Sequence, residues 1–158
     1  AVMVISNLRD RVALQAEIFE TSPYRLWLPL GHRLTTAEII VMTDIISEPL
    51  IMLTVDETEE NTGKLLSALG AKPHVAFRTR SVEAVRSLVA TGAGIALLPD
   101  LVYRPWSLEG DRIESRDISG ALPVVQVGMV WRRGSGLPKA ARDFIGIAQQ
   151  QHLVRARP

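Results

Sequence analysis

Between Ser81 and Pro99 the apolar positions change period. Val82, Val85, Leu88 and Val89 recur at helical spacing, and Ile95 to Leu98 then run without a polar break. The first pattern predicts a helix with one face packed on a sheet. Ser81 suits its N-cap, because the hydroxyl accepts a backbone N–H of the first turn. Gly92 suits the left-handed residue that ends a helix, and Gly94 lets the chain re-enter the sheet. The second pattern predicts a strand covered on both faces, closed by Pro99.

Similar reasoning places the other elements. Val2 to Ile5 reads as a buried strand, with a polar break at Ser6-Asn7. Ala13 to Phe19 and Tyr24 to Leu30 read as two extended segments. Thr36 to Ile46 is weakly helical, and its β-branched content suits a strand as well. Pro49 to Leu53 is a short apolar strand. Asp56 and Glu59 begin a helix in the manner of a capping box. That helix runs to about Leu69, with Leu65, Leu66 and Leu69 inside and Gly70 after it. Pro73 to Arg78 is a strand. Pro105 to Gly120 is polar, with one edge strand around Arg112 to Ser115. Val124 to Trp131 is a buried strand. Pro138 suits the first position of a last helix, whose apolar face is Leu137, Ala141, Phe144, Ile145 and Ala148. Gln149 to Pro158 reads as a frayed tail. Alternation of this kind predicts an α/β fold with a largely parallel sheet.

Composition narrows the function classes. A chain of 158 residues buries one core or two small lobes. Eighteen basic against 17 acidic side chains give a net charge of +1, which is no footprint for nucleic acid. With zero cysteines there are no disulfides or cysteine–zinc sites, which fits a reducing compartment. No apolar run reaches the roughly 20 residues of a membrane span, and no signal peptide is visible. The chain opens at Ala1-Val2-Met3-Val4-Ile5, as if inside a strand.

Catalytic chemistry finds little support. His32, His74 and His152 are scattered, without metal-ligand spacing, and His32 and His152 read most simply as surface residues. Asp56, Glu57, Glu59 and Glu60 cluster four carboxylates, but at a helix N-terminus they complement the dipole. Gly92-Ala93-Gly94 lacks the third glycine of a dinucleotide fingerprint. Trp27, Trp106 and Trp131 read as packing residues, and Arg132-Arg133 is too short for a nucleic-acid patch.

A family resemblance joins these elements. Arg80 to Pro99, with its Leu-Val-Ala-x-Gly-x-Gly-Ile-x-Leu-Leu-Pro core, resembles the second regulatory lobe of LysR-type transcriptional regulators. Tyr24 to Leu34 resembles the strand crossing between that family's lobes and the His-x-Leu turn after it. Glu48 to Leu53 resembles the next strand. Val127 to Arg132 and Leu137 to Ile145 resemble the return strand and closing helix. The matches run in order along nearly the whole chain.

The resemblance implies a periplasmic-binding-protein-like, two-lobed α/β sensor with one lobe incomplete. Residues 24–126 would form the complete second lobe, 1–23 and 127–150 a remnant of the first, and 151–158 a tail. The first strands of the split lobe and the winged helix-turn-helix would be missing. DNA would then be bound only through that missing domain. Effectors in the family sit between lobes, near strand ends and helix N-termini. This implies effector-binding roles for Thr79, Arg80 and Ser81, for Thr54, Val55 and Asp56, and for Ser6 and Asn7. Arg80 beside free N–H groups favours a carboxylate, while Ser81 and Asp56 have the plainer reading of N-caps. Arg78 alternates away from Thr79, so one of the two faces solvent. The expected partners are a small-molecule effector and further copies of the chain, the latter through the helix Val82 to Thr91 or open apolar surface. No metal, cofactor or membrane is expected, and the expected location is the cytoplasm. An exported solute-binding protein and a small-molecule enzyme are the competing readings.

Overall fold

A computed structural model describes residues 2–4, 12–67 and 73–155. Among the described residues the strands and α-helices follow in the order β1 (Val2–Val4), β2 (Leu14–Pro29), α1 (Met42–Ile46), β3 (Leu50–Leu53), α2 (Asp56–Ser67), β4 (Val75–Thr79), α3 (Val82–Ala90), β5 (Ala96–Pro99), β6 (Ile113–Arg116), β7 (Val124–Arg132) and α4 (Lys139–Arg155). Two compact units result, one of residues 1–22 with 124–158, the other of residues 23–123. The division falls within β2 and just before β7.

In the 23–123 unit, the latter part of β2 is a central strand. It pairs antiparallel with β5 on one side, Trp27 opposite Ala96, and with β6 on the other, Trp27 opposite Ser115. β3 and β4 run parallel, Leu53 opposite Thr79, and a parallel bridge joins Leu50 to Ile95. The pairing is therefore mixed. The expectation of largely parallel sheets holds where strands alternate with α2 and α3. It fails at β2, which enters from the other unit, and at β6, which returns from a loop, so neither arrives through a helical crossover. Trp27, Ile51, Leu53, Val85, Val89, Ala96, Leu98 and Ile113 are buried together as the core.

The helix–turn–strand at 81–99 forms as its period requires. Val85 and Val89 are fully buried, and all four residues of β5 are buried. Ser81 caps α3, its Oγ accepting Ala84 N–H at 3.2 Å. Gly92 has φ +78°. Gly94 serves a different need, because a Cβ there would lie 2.4 Å from Pro49 O.

In the other unit, β1 and β7 pair antiparallel, Val2 opposite Met129, and β7 also pairs with β2. Gly128 permits that approach, since a Cβ would meet Glu17 O at 2.1 Å. Arg133 donates to the carbonyls of Val12 and Leu14, and Gln149 of α4 reaches Glu17 Oε1 at 2.7 Å.

Several boundaries differ from expectation. The two extended segments at 13–30 are one strand of 16 residues. Only Met42–Ile46 of the ambiguous 36–46 region is helical, started by Asp44 accepting Val41 N–H. α4 begins one residue after Pro138, whose carbonyl accepts Ala141 and Arg142 N–H. It continues to Arg155, so the tail is helical through most of its length. Trp106 is 57% exposed rather than packed. His32 is not merely a surface residue, because its Nδ1 accepts Leu34 N–H and caps a short 3-10 turn. Leu69 and Gly70 lie outside the described residues.

Candidate functional site

The parallel pair β3 and β4 ends with its last residues side by side, each strand leading into a helix. Thr54 follows β3. Its N–H donates to Thr79 O at 2.8 Å and its hydroxyl to the same carbonyl at 3.2 Å. Thr79 closes β4, and its hydroxyl accepts Ser81 N–H at 3.1 Å. Ser81 then caps α3, whose first N–H groups have no intrahelical acceptor. The fold thus brings Thr54, Thr79, Arg80 and Ser81 to one edge.

Arg80 is the unengaged charge of this edge. It is exposed, and among the described residues it has no hydrogen-bond or ion-pair partner. Its neighbour in alternation, Arg78, is committed elsewhere: Nη1 contacts Glu59 Oε1 at 3.1 Å and Met52 Sδ at 3.0 Å. The acidic start of α2 therefore supplies a structural ion pair through Glu59. Val55 is half-buried and packs against the core, so its side chain serves packing first. Asp56 opens α2, and its side chain lies outside the described residues, as do Ser6 and Asn7 entirely. Chemically, the edge offers the Thr79 and Ser81 hydroxyls, the N-terminus of α3 and one guanidinium, a set suited to an anion.

Two arginines that the residue pattern did not single out carry the local architecture. Arg86 on α3 is buried, pairs with Glu83, donates to Val102 O at 2.9 Å and lies 5.6 Å over the Trp27 ring. Its only sequence signal is its place beside Val85 and three residues after Glu83. Arg116 ends β6 and donates to the carbonyls of Leu34, Thr35 and Ala37. That contact spans some 80 residues of sequence, and no local pattern announces it. Nearby, burial raises the Tyr103 pKa above its ordinary value, and its hydroxyl donates to Ile113 O at 3.0 Å. Among the described residues no group of three or more His, Asp or Glu side chains is placed to hold a metal.

The LysR substrate binding domain model matches residues 2–152. The chain belongs to that family. It is a LysR-type effector-binding domain, with the periplasmic-binding-protein-like α/β fold of that group. The DNA-binding transcriptional dual regulator OxyR of Escherichia coli K12 is 30% identical over 132 residues, covering 78% of this chain and 40% of that protein. The chain spans about 40% of the length of the curated relatives it matches. Among solved structures, the LysR family regulator HinK of Pseudomonas aeruginosa superposes with TM-score 0.79 at 25% identity, over 89% of this chain and 49% of HinK. A C-terminal domain of a LysR family regulator from Rhodococcus sp. RHA1 has TM-score 0.81 at 23% identity, over 94% and 73%, which speaks for the fold. No described helix is long and apolar enough to cross a membrane.

Proposed function

We propose that this chain senses a small acidic effector for a LysR-type transcriptional regulator, holding the acid group at Thr79, Arg80 and Ser81 with Thr54 beside them. The 23–123 unit serves as the second regulatory lobe, and residues 1–22 with 124–158 contribute to the first. The whole regulator binds DNA through a part other than this one and responds to the effector by rearranging its lobes and subunits. Arg80 carries the reading: a guanidinium without a partner among the described residues, beside a capped helix N-terminus, at the end of a parallel strand pair. Solved domains of the same fold hold acids, namely benzoate in BenM and shikimate in QuiR, and the CcmR domain of Synechocystis holds 2-PG. Those domains are 13–18% identical to this chain, so they support the class of ligand and not its identity.

A thermal-shift screen of carboxylic acids, including benzoate and shikimate, tests the site on this chain and its Arg80→Gln variant. A ligand at a hundred times its Kd stabilises the folded state by about 2.7 kcal/mol, a shift of several degrees. At least one acid should raise the Tm of the unaltered chain and lose most of that effect with Arg80→Gln, whose own Tm stays unchanged. Acids that stabilise both proteins equally would remove Arg80 from the site.

A further inference from the structure

Glu83 is the acidic residue in the first turn of α3. It stands three positions after Arg80 and three before Arg86, with a guanidinium on either side in sequence. Side chains on a helix lean towards its N-terminus, and the dipole there attracts a carboxylate. Both tendencies bias Glu83 towards the Arg80 edge, where it would neutralise the charge meant for an acid. The structure has the other pairing. Arg86 Nη1 holds Glu83 Oε2, and Arg80 has no partner among the described residues.

Burial decides between the two arginines. The Arg86 side chain is 4% exposed, against 48% for Glu83, whereas Arg80 lies in the open. Arg86 Nη2 donates to Val102 O at 2.9 Å, and its Nε is buried without an acceptor. Among the described residues Glu83 is the one carboxylate paired with it. A buried charge stripped of its partner is strongly destabilising, while an exposed pair such as Arg80 with Glu83 contributes little. The balance therefore lies with Arg86.

We propose that Arg86 is a positioning residue for the acid site: it draws the Glu83 carboxylate along α3, away from the strand ends, and leaves the Arg80 guanidinium free for an effector. Without Arg86, Glu83 is a built-in competitor for that guanidinium. The effect on acid binding rests on the Arg80 reading above, whereas the choice of partner by Glu83 does not. Arg86→Met separates this role from a structural one. Methionine fills the volume without the charge, and the Glu83 left behind is exposed enough to be solvated.

The test follows the Arg80 Nε–H signal in ¹⁵N NMR spectra of the 158-residue chain, beside calorimetric titration with benzoate and shikimate. The parent is compared with Arg86→Met, Glu83→Gln and the double variant. Arg86→Met should move the Arg80 signal and weaken acid binding about two- to fivefold, the contribution of an exposed charge pair. Adding Glu83→Gln should return both to the parent's values, which a merely structural role for Arg86 would not do. Glu83→Gln alone should change acid affinity by less than about twofold, because the carboxylate it removes is already held. An Arg80 signal unmoved by Arg86→Met overturns the proposal, and so does a double variant that binds acid as weakly as Arg86→Met. If Arg86→Met does not fold, Glu83→Gln decides: acid binding tightened by about twofold or more overturns the proposal. Acids that bind none of these proteins, with the Arg80 signal moving as expected, overturn the effector reading and support the pairing.

Discussion

Gly94→Ala separates two reasons for a glycine and gives the fold a quantitative test. Gly94 does not have the positive φ of Gly92, so alanine suits its backbone. The obstacle is the neighbouring strand. The new Cβ would lie 2.4 Å from Pro49 O and 3.2 Å from Ile51 Cγ1. Reaching ordinary van der Waals distance means moving β5 from the Pro49 carbonyl by about 1 Å. That opening breaks Ile95 N–H to Pro49 O, now 2.9 Å, and weakens Ile51 N–H to Ile95 O, now 2.8 Å. Each net hydrogen bond contributes about 1 kcal/mol. Strain in the packed core adds about 1–3 kcal/mol, and the stiffer unfolded chain returns about 0.4–1 kcal/mol. The expected loss is therefore about 2–4 kcal/mol. Gly63→Ala is the control. Gly63 lies inside α2, and a methyl group there would have nothing within 4 Å, so alanine should stabilise by about 0.5–1 kcal/mol. Urea unfolding of the three proteins measures both changes. A Gly94→Ala stability within about 0.5 kcal/mol of the parent, the range of substitutions that disturb no packing, would refute the close approach of β3 and β5.

Two further outcomes test other ties. The Ser87 hydroxyl, 2.7 Å from Glu109 Oε2, is the main cause holding the Glu109 carboxyl below its ordinary pKa. A depressed carboxylate pKa adds stability above the ordinary value, lost as pH falls through the lowered one. Ser87→Ala should therefore raise the Glu109 pKa towards that of a free glutamate in a ¹³C NMR titration, and an unchanged pKa would rule the hydroxyl out. Arg116→Met removes the donors to Leu34, Thr35 and Ala37 and should cost about 1–3 kcal/mol. It should also speed amide exchange in residues 37–41, where a rate equal to the parent's would show that Arg116 does not hold the loop.

The segment from Ser81 to Pro99 is fully legible because everything it needs is nearby. Ser81 finds the N–H it accepts three residues on, Gly92 its turn at the helix end, and the Val85–Val89 spacing its buried stripe. The candidate edge is half legible. Strand ends and helix starts are local, so Thr79, Arg80 and Ser81 could be named, and only the parallel register of β3 and β4 sets Thr54 against Thr79. A break between Phe19 and Tyr24 is the natural local reading, because Pro23 contributes no N–H to a ladder. Tertiary pairing nonetheless carries β2 straight through it.

The amino-acid order by itself thus determined the period, cap and turn of the Ser81–Pro99 unit and the succession of most elements, and through that succession the family to which the chain belongs. Only the tertiary structure decided the antiparallel pairing of β2 with β5 and β6, the burial of Arg86 over Trp27, and the hold of Arg116 on a loop some 80 residues away. The reason is one of range. Periodicity and capping are interactions between residues a few positions apart, whereas pairing partners and buried charges are chosen by groups that meet only when the chain closes on itself.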